Sequence, residues 1–274
     1  IRQLIEDCLK WPGALLKRHN DAKHIIHKIG LLADIGLDRR IPEIALIAEK
    51  LMGHQSESGP FQSEIFIPKA FGGSNTAAWD WIICDFPLIT SALIGFGYRD
   101  DTRVRKSIKA IQGMVESNGW RCNASIETFK GPGKREHPCP VANLFALKVL
   151  GQENLYEAAK PGIDMLLDFW ETRSEVKYFL FGMGKRFKKL KYPFVWYDLL
   201  HLAEVLSLFS PVHQASRFIE ICELVFSQAD EGGWYTAQSV WMAYKDFDFG
   251  QKREISPMLT LAVMRIKKRI ASIS

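Results

Sequence analysis

Carboxylates, a cysteine and a serine stand beside prolines in this sequence, at the places where apolar helical runs begin. Asp85 lies two residues before Pro87, Cys139 directly before Pro140 and Ser256 directly before Pro257, while Asp198 opens a similar run that lacks the proline. Proline is tolerated in a first helical turn, because its missing N–H would have no intrahelical partner there. A carboxylate at such a place is most simply a cap, accepting from free N–H groups and staying ionised. It becomes a general acid only where desolvation raises its pKa. Asp85 sits between Trp81 and Phe86 in the chain, rings that would exclude water, so it is the first candidate for a catalytic proton donor. Asp198 and His201 follow as catalytic candidates. Aligned on the prolines and on Asp198, the runs place Thr90, Asn143, His201 and Thr260 at one equivalent first-turn position. Polar groups recurring there either ring a pocket mouth or hydrogen-bond their own helices, as buried polar groups usually must; both alternatives stand.

Aromatic residues gather at the same helix starts and in the long loops: Trp79, Trp81, Phe86, Phe194, Trp196, Tyr197, Trp234, Trp241 and Tyr244. Ring faces at a pocket mouth can stabilise a cation, and they can equally stack sugars or fill core. The expected pocket is lined by Trp81, Asp85, Thr90, Cys139, Asn143, Trp196, Tyr197, His201 and Trp241. First turns also present the positive ends of helix dipoles, which suits an anionic head group such as a diphosphate.

The elements that must position these residues form a repeat. Four segments pair an apolar helical run with an amphipathic one across a short turn: residues 20–52, 85–115, 139–170 and 195–228. Connections this short force antiparallel neighbours, hence helical hairpins. The first helices are apolar nearly all round (SALIGF, LFALKVL) and the second carry Arg, Lys and Glu on one face (RVRKSIKAI). Helices of the first kind are buried and those of the second face water, so inner and outer layers are expected. If residues 2–18 supply one further helix and residues 257–270 its inner partner, about ten helices make about five hairpins in a single all-α domain over 1–274, closed as a ring or open as a solenoid. Inner helices are expected to start near His24, Asp85, Cys139, Trp196 and Ser256. The period of roughly 55 to 60 residues is long for a helical repeat. Its excess sits in Gly- and aromatic-rich loops, and long loops tend to carry function.

Composition narrows the class. With 274 residues, 47% hydrophobic and 24% charged, the chain has ordinary globular composition. No window reaches the roughly 18 apolar residues of a membrane span, and the opening IRQLIEDCLKW lacks a basic segment followed by an apolar one, so a cytoplasmic protein without a leader is expected. The net charge of +5, concentrated in KRFKKLK and RIKKR, is too small to argue for nucleic acid. Five scattered cysteines with no CxxC pair read as reduced thiols. A GxSxG elbow, a phosphate-binding loop and an HExxH helix are all absent from the sequence.

The turns Asn118-Gly119-Trp120 and Gly232-Gly233-Trp234, with the helix starts HPCPVANLFALKVLG and EISPMLTLAVMRIKKR, resemble the repeats of the terpenoid cyclase and protein prenyltransferase α/α-toroid superfamily, most closely an uncharacterised prokaryotic branch of prenyltransferase and squalene-oxidase-repeat proteins. The resemblance spans roughly residues 20–270 and implies an α/α toroid with an apolar cavity opening where the inner helices begin. It implies no particular reaction, because fold does not fix function. The DxDD motif of the family's cyclases is missing; Asp246 and Asp248 make only DxD, and Asp100 and Asp101 fall in a turn. The Asp-x-Cys zinc motif of its protein prenyltransferases is missing as well. Glu136, His137 and Cys139, with Asp198 and His201, supply zinc-ligand types without that spacing, and no metal or cofactor is expected. The expected function is to bind or convert an isoprenoid or other apolar small molecule, with a single Asp acid should it be a cyclase. Peripheral membrane contact is left open. A non-catalytic helical scaffold meeting an acidic partner through KRFKKLK, and a toroidal carbohydrate-active enzyme using Asp85 and Asp198 across a cleft, are the alternatives.

Overall fold

The computed structural model describes residues 1–131, 136–178 and 181–271. Parts of two of the long loops, residues 132–135 and 179–180, lie outside these. Ten helices form among the described residues: α1 (Arg2–Cys8), α2 (Ile25–Asp34), α3 (Pro42–Met52), α4 (Phe86–Gly95), α5 (Thr102–Gly113), α6 (Pro140–Gln152), α7 (Tyr156–Glu171), α8 (Leu199–Leu206), α9 (Ser216–Phe226) and α10 (Pro257–Ala271). The loop between α3 and α4 carries an antiparallel hairpin of β1 (Ser63–Phe66) and β2 (Ala77–Asp80). No helix among the described residues is long and apolar enough to cross a membrane.

The helices α2, α4, α6, α8 and α10 pack on one another in sequence order. In α4 every residue from Phe86 to Ile94 is buried, and in α6 every residue from Pro140 to Gly151, which is the apolar-all-round pattern meeting partners on every side. In α5 only Val104, Ser107, Ile108 and Ile111 are buried, one stripe at helical spacing. The hairpins turn in the same way three times. Gly36, Gly97 and Asn154 each take positive φ just past α2, α4 and α6, and the next N–H, from Leu37, Tyr98 and Leu155, reaches back to the carbonyls of Leu32, Leu93 and Leu150. This left-handed cap satisfies carbonyls that a helix end leaves free.

Two expectations change at the ends of the chain. The N-terminal helix stops at Cys8 instead of running to Arg18, because Pro12 lacks a donor and Gly13 takes positive φ. The chain then runs extended, with Leu16 bonded in both directions to β1 through Leu16 N–H to Glu64 O and Phe66 N–H to Leu16 O. At the other end α10 packs on α8 but buries one face only, leaving Leu261 and Met264 exposed. Arg265 on α10 reaches the carbonyl of Asp34 at 2.6 Å, tying the last helix of this row to α2.

The repeat extends into the turns after the second helices. The Cys139 N–H donates to Trp120 O and the Ser256 N–H donates to Tyr235 O, both at 2.8 Å. Asn143 accepts from Trp120 N–H, and Thr260 accepts from Tyr235 N–H. Tyr235, not Trp234, is therefore the structural counterpart of Trp120, one residue off the alignment that the glycines suggest. Both Trp120 and Tyr235 are buried, whereas Trp234 is exposed.

Candidate functional site

A cavity of about 750 Å³ opens at the end of the molecule where α2, α4, α6 and α8 begin. That volume is ordinary for a small-molecule site. Its walls include Ile65, Ile67, Ile82, Phe129, Phe181 and Trp196, with Phe71 exposed; Lys17, Arg18, Arg121 and Lys130 bring positive charge. Glu127 is the one carboxylate lining it among the described residues. Arg121 also pairs with Glu116 at 2.7 Å.

Short extended segments build one side of the cavity. Ile82 bridges to Ala124, Arg121 bridges to Pro138, and Ile83 N–H donates to Asn123 O. Segments 82–84, 121–124 and 138–139 therefore lie side by side, and each carries one cysteine: Cys84, Cys122 and Cys139. All three line the cavity, and the sulfurs of Cys84 and Cys139 are 3.7 Å apart. Cys139 is the N-cap residue of α6. The neighbouring Cys122 and Cys84 thiols, then the N–H groups at the start of α6, hold Cys139 well below the ordinary thiol range against the cost of its burial, although its side chain makes no cap bond. Cys84 is pushed up by Cys122, Cys139 and its burial, and Cys122 by Cys139 and its burial with Cys84 opposing.

His19, three residues after the Leu16 that bonds to β1, lines the same cavity as these sulfurs. His27 holds its carbonyl at 2.8 Å, and its Nδ1 lies 2.9 and 3.0 Å from the two oxygens of Asp85. Asp85 is buried and begins α4, yet its side chain makes no cap bond; it is spent on the imidazole. His19 keeps 31% of its side chain exposed and lines the cavity, which Asp85 does not. Burial pulls the His19 pKa down, but the Asp85 carboxylate outweighs it and the net direction is up. With Nδ1 bound to the carboxylate, Nε2 is the nitrogen left to exchange a proton.

Of the residues expected at the pocket, Cys139 and Trp196 line the cavity, and Asp85 stands behind His19. The others lie elsewhere. Trp81 packs edge-on against Phe86. Thr90 donates to Phe86 O and shares a bond with Ser107, and Asn143 is tied to the backbone of Trp120 and Cys139. Tyr197 packs among Phe169, Phe181 and Phe187. Trp241 donates to Pro193 O beneath the Lys191 ammonium. The four equivalent polar residues thus hydrogen-bond their own surroundings, without forming a ring at this mouth. In the basic run at 185–191, Phe187 and Leu190 are buried and anchor the loop away from the cavity.

Asp198 and His201 belong to a separate buried place. Asp198 Oδ1 caps α8 by accepting from His201 N–H, and His201 Nδ1 meets Trp196 O at 2.7 Å between the rings of Phe145 and Phe194. Asp198 Oδ2 and His201 Nε2 have no hydrogen-bond partner among the described residues. Burial lifts Asp198 to about 6, with Lys191 opposing. For an acid, a raised folded-state pKa means that its stabilising contribution is full below the unfolded value of 3.8 and is lost as the pH rises through about 6. Asp198→Asn keeps a good cap without the charge. It should stabilise the protein by about 1–3 kcal/mol at pH 7, a gain that vanishes in denaturant titrations below about pH 4. A pH-independent loss would show that the charged cap is worth more than its burial costs.

His19, Cys84 and Cys122 carry the site and were not singled out by helix patterning, since none lies inside a helix. One signal was available: Cys84-Asp85 and Cys139 occupy equivalent helix starts, so these side chains had to converge at one end. Neither a protein-family model nor a curated protein matches the chain. Among the described residues no group of three or more His, Cys, Asp or Glu side chains is arranged to hold a metal ion.

Proposed function

We propose that this protein binds an amphipathic small molecule, with an isoprenoid-like apolar body and an anionic head group, in the cavity at the starts of the inner helices. The observation that carries the reading is the cavity's composition: apolar and aromatic walls about 750 Å³ in volume, with Lys17, Arg18, Arg121 and Lys130 around them against Glu127 alone among the described residues. Apolar burial supplies affinity there, and guanidinium or ammonium groups fix the end that carries charge. We take the helical layers to close as an α/α toroid, a reading supported by the consecutive packing of α2, α4, α6, α8 and α10 and the Arg265–Asp34 tie. The carbohydrate alternative loses its support, because Asp198 is sealed in another place and Asp85 is covered by His19. Asp85 as a cyclase acid is disfavoured for the same reason.

Titration calorimetry with farnesyl diphosphate, farnesol and inorganic diphosphate tests this. Farnesyl diphosphate should bind at least tenfold tighter than either of its halves, and Arg18→Ala/Lys130→Ala should weaken it by about tenfold, or about 1.4 kcal/mol, while leaving farnesol unchanged. Equal affinity for inorganic diphosphate alone, or no binding of any of the three, would overturn the reading.

A further inference from the structure

Three thiols meeting at one cavity wall exceed what ligand binding requires. Cys84 and Cys139 are already 3.7 Å apart as free cysteines, and a disulfide needs about 2.05 Å, so side-chain rotation has little left to do. The two sulfurs are not equivalent. Cys139 stands at the N-cap position of a 13-residue helix, where the positive end of the helix dipole favours a thiolate, and the Cys84 thiol lies against its sulfur. His19, backed by the Asp85 carboxylate, lines the same cavity with a proton to give. Apolar walls around the site admit an organic molecule rather than water alone.

We propose that Cys139 and Cys84 form a redox-active dithiol that reduces hydroperoxides entering the cavity, with Cys139 as the attacking thiolate and Cys84 as the resolving thiol. The Cys139 sulfur attacks the terminal oxygen of the hydroperoxide. The S–O bond forms as the O–O bond breaks, and the alkoxide leaves with the proton of His19 as an alcohol. Cys84 then attacks the sulfenic sulfur; the S–S bond forms, and the hydroxyl departs as water with the Cys84 proton. Two electrons pass from the dithiol to the peroxide. An external thiol restores both cysteines by exchange, entering through Cys122, which is half-buried at the cavity. The step needs the cavity but not the cationic mouth, so it stands or falls apart from the ligand proposed above.

Cumene hydroperoxide and hydrogen peroxide are the probes, added to the fully reduced chain at pH 7. One equivalent should consume two of the five thiols, form one cumyl alcohol and lower the mass by about 2 Da, with the disulfide mapping to Cys84 and Cys139. The rate should exceed that of free cysteine by at least about tenfold, cumene hydroperoxide reacting faster than hydrogen peroxide. Cys84→Ser should stop at a sulfenic acid on Cys139 that dimedone traps, a product that requires the folded site and so separates lost chemistry from lost fold. Cys139→Ser should form no alcohol beyond background. Reaction at the rate of free cysteine, a disulfide mapping elsewhere, or zinc retained by thiols that stay silent to peroxide would each overturn the proposal.

Discussion

Asn143→Ala should cost about 2–4 kcal/mol in urea unfolding, although residue 143 lies outside the cavity. Its carboxamide accepts from Trp120 N–H at 3.1 Å and donates to Trp120 O at 2.7 Å and Cys139 O at 2.9 Å, all buried. The two carbonyls keep other partners, Cys139 N–H and Asn143 N–H, so the orphan left behind is the Trp120 N–H together with the space of the lost amide. Gly119 sits against the same amide: its φ is +89°, and a Cβ there would stand 2.3 Å from Asn143 Oδ1. Gly119→Ala should be destabilising for both reasons. The clash disappears once Asn143 is alanine, so the double variant should be less unstable than the summed singles by about 1–2 kcal/mol. Strict additivity would show that the turn and the helix start are not coupled through this side chain.

Acid should unfold this protein well above the range set by its carboxylates. Burial depresses His201 to about 3 and His27 to about 4, from a usual 6.5, with Lys148 adding to the effect at His201. A lowered folded-state pKa on histidine means that the unfolded chain binds the proton first. The stability is present in full above pH 6.5 and is lost as the pH falls toward those values. For His201 alone the loss is on the order of 3–5 kcal/mol by pH 3. His19 and Asp198 work in the opposite sense and offset part of it, since their folded-state values are raised. His201→Asn keeps a donor for Trp196 O and removes the titration. It should be less stable than the parent at pH 7.5 and closer to it, or above it, at pH 4.5. Parallel stability curves between those values would mean that His201 titrates normally.

The helices and their hairpin turns were legible because each level of the chain says the same thing. Prolines mark the starts of α4, α6 and α10, and runs such as LFALKVL read as apolar on every side. Left-handed Gly36 and Gly97 mark the ends of α2 and α4. Helix periodicity is a local property, so a local reading recovers it. Where it failed the cause was local too: Pro12 and Gly13 end the first helix early and free the segment whose Leu16 bonds to β1, which is what brings His19 to the cavity.

The site was legible only by its end of the molecule. Equivalent helix starts had to share that end, which leaves Cys139 on the cavity wall and Asp85 behind His19 there. Direction was not available from the pattern. Whether an N-cap carboxylate bonds its own helix, as Asp198 does, or turns to a histidine 66 positions away, as Asp85 does, depends on what the opposing loop presents. Of Thr90, Asn143, His201 and Thr260 only Asn143 and Thr260 make the equivalent bond, accepting the N–H of Trp120 and of Tyr235, while Thr90 and His201 bond carbonyls of their own segments, because at a buried helix start the nearest unsatisfied groups belong to backbone. Cys84 and Cys122 look unrelated along the chain, and only the tertiary pairing of segments 82–84, 121–124 and 138–139 makes one site of them. Sequence alone determined the helices, because their hydrogen bonds and apolar stripes close within a few residues. The tertiary structure decided the chemistry, because thiols, imidazole and carboxylate acquire their ionisation and their partners from segments that the chain brings together only on folding.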